Sequence, residues 1–60
     1  METYKIWLTD KWYEVIKISP SYRMVVANGF ATEGAAQWWL ARHLNLTSVD
    51  DLAKWMDRTS

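Results

Sequence analysis

Few side chains in this 60-residue chain are suited to acid–base or nucleophilic chemistry. There is one histidine, His43, and there is no cysteine. Catalysis requires a nucleophile, a base and an orienting group within hydrogen-bond reach. No carboxylate stands three or four residues from His43 in the sequence. We therefore expect His43 to be a packed or edge histidine, and we expect the protein not to be an enzyme.

Metal and cofactor motifs are not found either. A single histidine without cysteines rules out zinc-knuckle spacing, and Gly29 and Gly34 stand alone rather than in a phosphate-binding loop. Asp50 and Asp51 are neighbours, which point about 100° apart on a helix, so we interpret them as first-turn partners of a helix dipole. The sequence predicts no metal and no cofactor.

Composition limits how these side chains can be positioned. A chain of this length has room for one core, so we expect a single domain over residues 1–60. Without disulfides, that core must come from packing, to which five tryptophans can contribute about 150–250 Å² each. The alternative to a core within one chain is a homodimer whose two copies share a core.

Charge and hydropathy give no sign of a membrane or of a strongly charged partner. Seven basic residues balance seven acidic ones, so any electrostatic binding must be local. The N-terminus lacks the apolar stretch of a signal peptide, and no apolar run approaches about 18 residues. We expect a cytoplasmic protein, bacterial or phage in origin, with no membrane partner.

The first half of the chain has the pattern of a β-sheet. Residues 4–9, 12–18 and 22–27 are rich in β-branched and aromatic types, which predicts a sheet over residues 4–27. Asp10-Lys11 is the first predicted turn, Pro20 ends the second strand, and Asn28-Gly29 is the exit turn.

A two-residue turn would pair Leu8 with Tyr13 and Ile6 with Val15 on one face of the sheet. The opposite face would then carry Lys5, Trp7, Trp12, Glu14 and Ile16. This second face is too apolar to be only solvated, and two explanations remain open. Either the C-terminal helix or a second copy of the chain covers it, or it is a recognition surface.

The second half predicts two helices. Thr32 is an N-cap followed by Glu33, which begins a helix over residues 32–44. At 100° per residue the inward stripe comprises Ala36, Trp39, Leu40, His43 and Leu44, and the opposite side comprises Gln37, Trp38, Ala41 and Arg42. Trp38 would therefore point to solvent, to the last segment or to a partner. Thr47 and Ser48 stand at the start of a short C-terminal helix, predicted over residues 48–58, that covers the first helix or a sheet edge. The expected fold is α+β: a three-stranded antiparallel sheet packed on one helix, with a short C-terminal helix.

If the second sheet face is a recognition surface, its tryptophans would supply contact area. The phosphate contacts would come from Lys5, Lys11, Lys17 and Arg23.

Two stretches carry a resemblance to known families. They are Lys11-Trp12-Tyr13-Glu14-Val15-Ile16-Lys17 and, after the third strand, Phe30-Ala31-Thr32-Glu33-Gly34-Ala35-Ala36-Gln37-Trp38. The pattern resembles that of AP2-type and phage-integrase N-terminal DNA-binding domains. It equally resembles the bacterial cell-division modulator CedA, with Ile6-Trp7-Leu8 as the first-strand match.

The resemblance implies a sheet whose free face lies in the major groove of double-stranded DNA. The matched positions are Lys5, Trp7, Trp12, Glu14 and Arg23. A small DNA-binding accessory or regulatory protein is thus one expectation, and a protein–protein interaction module is the other. The candidate binding residues for either partner are Lys5, Trp7, Lys11, Trp12, Glu14, Lys17, Arg23 and Trp38.

A helix-turn-helix over residues 37–55 is a competing DNA-binding interpretation. Its recognition helix would begin with Val49-Asp50-Asp51 and present two carboxylates to phosphates, which argues against it.

Overall fold

A computed structural model describes residues 2–56 of the chain and has an α+β fold, as the sequence predicts. An antiparallel sheet in the order β1-β2-β3 packs against one α-helix, and a short 3₁₀ helix packs on that α-helix. The elements are β1 (Thr3–Leu8), β2 (Tyr13–Ile18), β3 (Arg23–Phe30), α1 (Glu33–His43) and the 3₁₀ helix (Val49–Lys54).

The register of the first hairpin is the predicted one. Leu8 pairs with Tyr13, and Ile6 pairs with Val15. Since side chains alternate between faces along a strand, this register fixes which residues face α1 and which face away.

Thr9 holds the turn between β1 and β2. Its N–H donates to the Trp12 carbonyl at 2.8 Å. Its hydroxyl oxygen also accepts from the backbone N–H groups of Lys11 and Trp12, at 3.2 and 3.1 Å. These bonds close a loop with Asp10 and Lys11 at its tip, which confirms the predicted two-residue turn.

The third strand is longer than predicted. Asn28 and Gly29 do not end it, because β3 continues to Phe30, which pairs with Tyr13. Gly29 has a φ of +85°, in the region that favours glycine. The two residues expected to form an exit turn thus form an irregularity within the strand, which keeps Phe30 in the sheet.

A second irregularity lies one step earlier in β3. Ile16 pairs with Val25, whereas the preceding Val15 pairs with Ala27. Val26 is therefore an extra residue on the β3 side, and it packs partly buried against the core.

Helix α1 has clear signals at both ends. The Thr32 hydroxyl accepts from the Ala35 N–H at 3.1 Å, as expected of an N-cap. At the other end Asn45 has a φ of +59°, and the Leu46 N–H donates to the Ala41 carbonyl at 2.8 Å. This is the Schellman arrangement, which satisfies carbonyls that the last helical turn would otherwise leave unpaired.

Replacing Thr32 with alanine should remove the N-cap bond and lower the free energy of unfolding by about 1 kcal/mol. For a domain of this size, the melting temperature should fall by roughly 4–8 °C. Thr32→Ser, which keeps the hydroxyl, is the matched control and should stay near the parent. Thermal denaturation followed by circular dichroism measures both, and equal melting of the two variants would show that the cap contributes nothing.

Six buried residues form the core: Tyr4, Val15, Ala36, Leu40, Ala41 and Leu52. The prediction that Ala41 faces away from the core is wrong, since it is buried like Ala36 and Leu40. The reason is tertiary: the 3₁₀ helix packs on α1, and its Leu52 belongs to the same core. The small Ala41 side chain permits this close approach.

The C-terminal segment is shorter and tighter than the predicted helix over residues 48–58. The Ser48 hydroxyl caps it by accepting from the Asp50 N–H at 3.1 Å, but the helix is 3₁₀ and ends at Lys54. The helix does not continue, because the Trp55 carbonyl accepts from the Tyr4 N–H of β1 at 2.8 Å rather than from an N–H further along the helix. Positions 57 and 58 lie outside the described residues. None of the helices in residues 2–56 is long and apolar enough to cross a bilayer.

Candidate functional site

The face of the sheet that points away from α1 is the open face. Register and alternation place on it the side chains of Thr3, Lys5, Trp7, Glu14, Ile16, Ile18, Arg23 and Val25. Trp12, two residues before Glu14, continues this face into the turn. Within the described residues, both helices pack on the other side of the sheet or at its β1 edge.

Two indole rings are accessible on the open face. Trp7 and Trp12 each retain 38% of their exposure and lie outside the core that the described residues form. Between the outer strands, Ile16 is only 3% exposed although it also lies outside that core. The open face is thus an ordered layer with a buried aliphatic centre and aromatic side chains at the hairpin end.

Glu14 is engaged by Trp7 directly across the strand pair. The Trp7 indole N–H donates to a Glu14 carboxylate oxygen at 2.8 Å. A hydrogen bond to a charged acceptor is among the stronger ones in proteins. It restrains the carboxylate beside β1 and fixes the orientation of the indole ring.

The cations of the open face lie at its borders. Lys5 belongs to β1 and Arg23 to β3, the two outer strands, while Lys11 lies at the tip of the hairpin turn. In residues 2–56 none of these three cations forms an ion pair. Lys5, Lys11 and the restrained carboxylate of Glu14 therefore lie near the two tryptophans, whereas Arg23, which pairs with Ile18, lies toward the other end of the sheet.

Lys17 does not belong to this surface. It pairs with Tyr4 and Met24, so alternation places it on the face that also carries the buried Tyr4 ring. Its ammonium group lies 3.0 Å from a Glu2 carboxylate oxygen. The hydrogen bond to Glu2 raises the pKa of Lys17, and the charge of Glu2 adds to the effect. Lys17 is a partner of Glu2 and is not positioned with Lys5 and Arg23.

Trp38 is also separate from the sheet residues. It lies on α1, is 60% exposed and points outward, whereas its neighbour Trp39 is partly buried against the core, as predicted. His43, which was predicted on the inward stripe, is exposed, and its ring stacks on Trp39 with centroids 4.9 Å apart. Any role of Trp38 in binding therefore belongs to a second surface.

Sequence reasoning missed Val25 as a member of the open face. The alternation Arg23-Met24-Val25 in the predicted third strand was a usable signal for it. It also missed that Ala35, Trp39, Arg42 and His43 flank Trp38, although the spacing of three and four residues was a usable signal.

The described part of the chain, residues 2–56, contains no group of three or more histidine, cysteine, aspartate or glutamate side chains able to hold a metal. The chemistry of the open face is that of non-covalent contact: two indole rings, aliphatic side chains and cations. Comparison of the chain with family models, with curated proteins and with solved structures gave no match.

Proposed function

We propose that this protein binds double-stranded DNA through the open face, as a small accessory or regulatory protein of a bacterial or phage cytoplasm. One observation carries the proposal: Trp7 and Trp12 are accessible on a sheet face bordered by cations that form no ion pair within residues 2–56. Aromatic side chains supply contact area at base edges, and the cations supply contacts to phosphates.

The dimensions of the sheet support this partner. Three strands spaced by about 4.8 Å give a surface about 10 Å wide, close to the roughly 12 Å width of the major groove. Lys5 and Arg23 lie on opposite outer strands. When the sheet lies in the groove, each cation is near one of the two phosphate backbones.

The number of cations sets the expected salt dependence of the affinity. Each neutralised phosphate contributes about 0.9 to the slope of log K against log salt concentration, so Lys5, Lys11 and Arg23 together predict a slope of about −2.7. Between about 50 and 200 mM salt, affinity should fall about 40-fold. The net charge of zero gives no additional long-range attraction.

Titration of a duplex of about 15 base pairs, followed through the indole N–H signals of the five tryptophans by NMR, tests the proposal. The signals of Trp7 and Trp12 should shift at low salt, and the shift should be lost as salt rises. If neither signal responds with protein at about 200 µM and salt near 50 mM, the open face is not a DNA-binding surface.

Lys5 and Lys17 provide a matched pair of variants. Lys5→Gln should weaken duplex binding about 3- to 10-fold at low salt and reduce the salt slope by about 0.9, because one phosphate contact is lost. Lys17→Gln should change neither quantity, because Lys17 lies on the opposite face with Glu2. Fluorescence anisotropy at several salt concentrations measures both. Equal effects of the two substitutions would indicate nonspecific attraction and contradict the assigned orientation.

A protein partner, including a second copy of the chain, is the second candidate for the open face. It is favoured by the apolar character of the open face, where Val25 is exposed alongside Trp7 and Trp12. Affinity for such a partner should hardly depend on salt. Sedimentation equilibrium tests for the homodimer, which would cover the open face and remove it from DNA.

A further inference from the structure

A groove lies on α1 and is separate from the open face of the sheet. It has a volume of about 760 Å³ and is lined by Ala35, Trp38, Trp39, Arg42 and His43. These residues follow the spacing of three and four that defines one side of a helix. The volume is within the range of about 300–1,000 Å³ that is usual for ligand sites.

The aromatic floor of the groove is fixed by contacts to the core. The rings of Trp39 and His43 stack with centroids 4.9 Å apart and an angle of 10° between their planes. His43 meets the buried Tyr4 edge-on at 6.4 Å, and Trp39 packs against Phe30 at 6.3 Å. Rings that are already held in place lose little freedom when a ligand binds, which favours binding.

The polar character of the groove is cationic. Arg42 is exposed at its C-terminal end, beside His43, and no carboxylate belongs to the lining that the described residues provide. The nearest acidic residue of α1, Glu33, precedes Arg42 by nine positions, about 13 Å along the helix axis. A guanidinium group matches the geometry of a carboxylate and can donate two parallel hydrogen bonds to it.

We propose that this groove binds a short acidic segment of a partner protein, in which a carboxylate lies next to a large apolar side chain. The apolar side chain packs against Trp38 and Trp39, and the carboxylate accepts hydrogen bonds from Arg42. From Ala35 to His43 the groove is about 12 Å long, which is the length of about four extended residues.

Two features favour a protein segment over other ligands. A nucleic acid requires several phosphate contacts for useful affinity, and Arg42 is the one permanent cation of the lining that residues 2–56 provide. The acidic pair of this chain, Asp50-Asp51, is followed by Leu52, which is buried and therefore not available to the groove of a second copy. The inference is independent of DNA binding, because the groove shares no residue with the open face.

The probe is a fluorescein-labelled peptide with the sequence Gly-Asp-Phe-Asp-Leu-Gly, titrated with the intact protein. We expect a dissociation constant on the order of 100 µM, which is typical of so small a contact. A peptide with lysines in place of the aspartates, and one with alanines in place of phenylalanine and leucine, should each bind at least about tenfold more weakly.

Protein variants locate the site. Trp38→Ala and Arg42→Gln should each weaken binding of the acidic peptide about tenfold or more. Arg23→Gln, which removes a cation from the open face, is the matched control and should leave the affinity unchanged. Circular dichroism should show both groove variants folded, because Trp38 and Arg42 are exposed.

Indole N–H signals separate this site from the open face. The peptide should shift the signals of Trp38 and Trp39 and leave those of Trp7 and Trp12 in place, and a saturating duplex should not displace it. The proposal is overturned if the lysine peptide binds equally well, if Arg42→Gln has no effect, or if binding does not saturate. It is also overturned if duplex displaces the peptide, or if the protein self-associates in sedimentation and Trp38→Ala abolishes that association.

Discussion

Replacing Trp12 with alanine is expected to weaken duplex binding about 30-fold, equivalent to about 2 kcal/mol, while the protein stays folded. Trp12 is accessible at the hairpin end of the open face and lies outside the core formed by the described residues. The ring provides much of the accessible contact area of that face, whereas its loss opens no cavity in the core. Fluorescence anisotropy with labelled duplex gives the affinity, and circular dichroism reports the fold.

Trp7 allows a finer version of the same experiment. Trp7→Phe keeps an aromatic ring but removes the indole N–H that donates to Glu14. The carboxylate keeps its negative charge but is no longer held beside β1, so it can move closer to phosphates. We therefore expect a several-fold loss of affinity that is greatest at low salt. Trp7→Phe combined with Glu14→Gln should regain most of the lost affinity.

If Trp12→Ala instead unfolds the protein, the Trp12 ring is structural and the open face loses its assigned role.

Leu40→Ala is expected to remove most of the stability of the protein. Leu40 is fully buried between the sheet and the 3₁₀ helix, in the core with Val15 and Leu52. Substitutions of this kind cost about 2–5 kcal/mol because they remove apolar contacts and leave a cavity. A domain of 60 residues has about 3–9 kcal/mol in total.

Thermal denaturation should show the melting temperature of Leu40→Ala lowered by roughly 8–40 °C, or no cooperative transition. Trp38→Ala is the matched control, since it deletes a larger side chain two positions earlier on the same helix, at an exposed site. Its stability should lie within about 0.5 kcal/mol of the parent. Equal melting of the two variants would mean that α1 does not bury the face assigned to it.

The charge pattern distinguishes this surface from the families that the sequence resembles. Those domains place several arginines on the sheet, whereas here Arg23 is the one arginine on the open face of residues 2–56, together with Lys5 and Glu14. In the proposed complex Lys5, Lys11 and Arg23 contact phosphates, so none of the three is available for recognition of a guanine base. We therefore expect low sequence specificity, with the contacts of Trp7 and Trp12 contributing much of the affinity.

The elements with strong local signals were predictable from the sequence alone. Alternation and the two-residue turn gave the register of β1 and β2, and Thr32 marked the start of α1. The separation of Trp38 from Trp39 followed from helical periodicity. Each depends on residues close together in the chain, where steric preferences and backbone hydrogen bonds act directly.

Tertiary structure decided the features that depend on distant segments. The burial of Ala41 depends on the 3₁₀ helix, whose length is limited by the bond from the Tyr4 N–H to the Trp55 carbonyl. The continuation of β3 through Gly29 depends on pairing with β2. A local pattern carries no information about such contacts, because the segments meet only when the chain has folded. The accessibility of the open face was decided in the same way, since it depends on where the C-terminal segment packs.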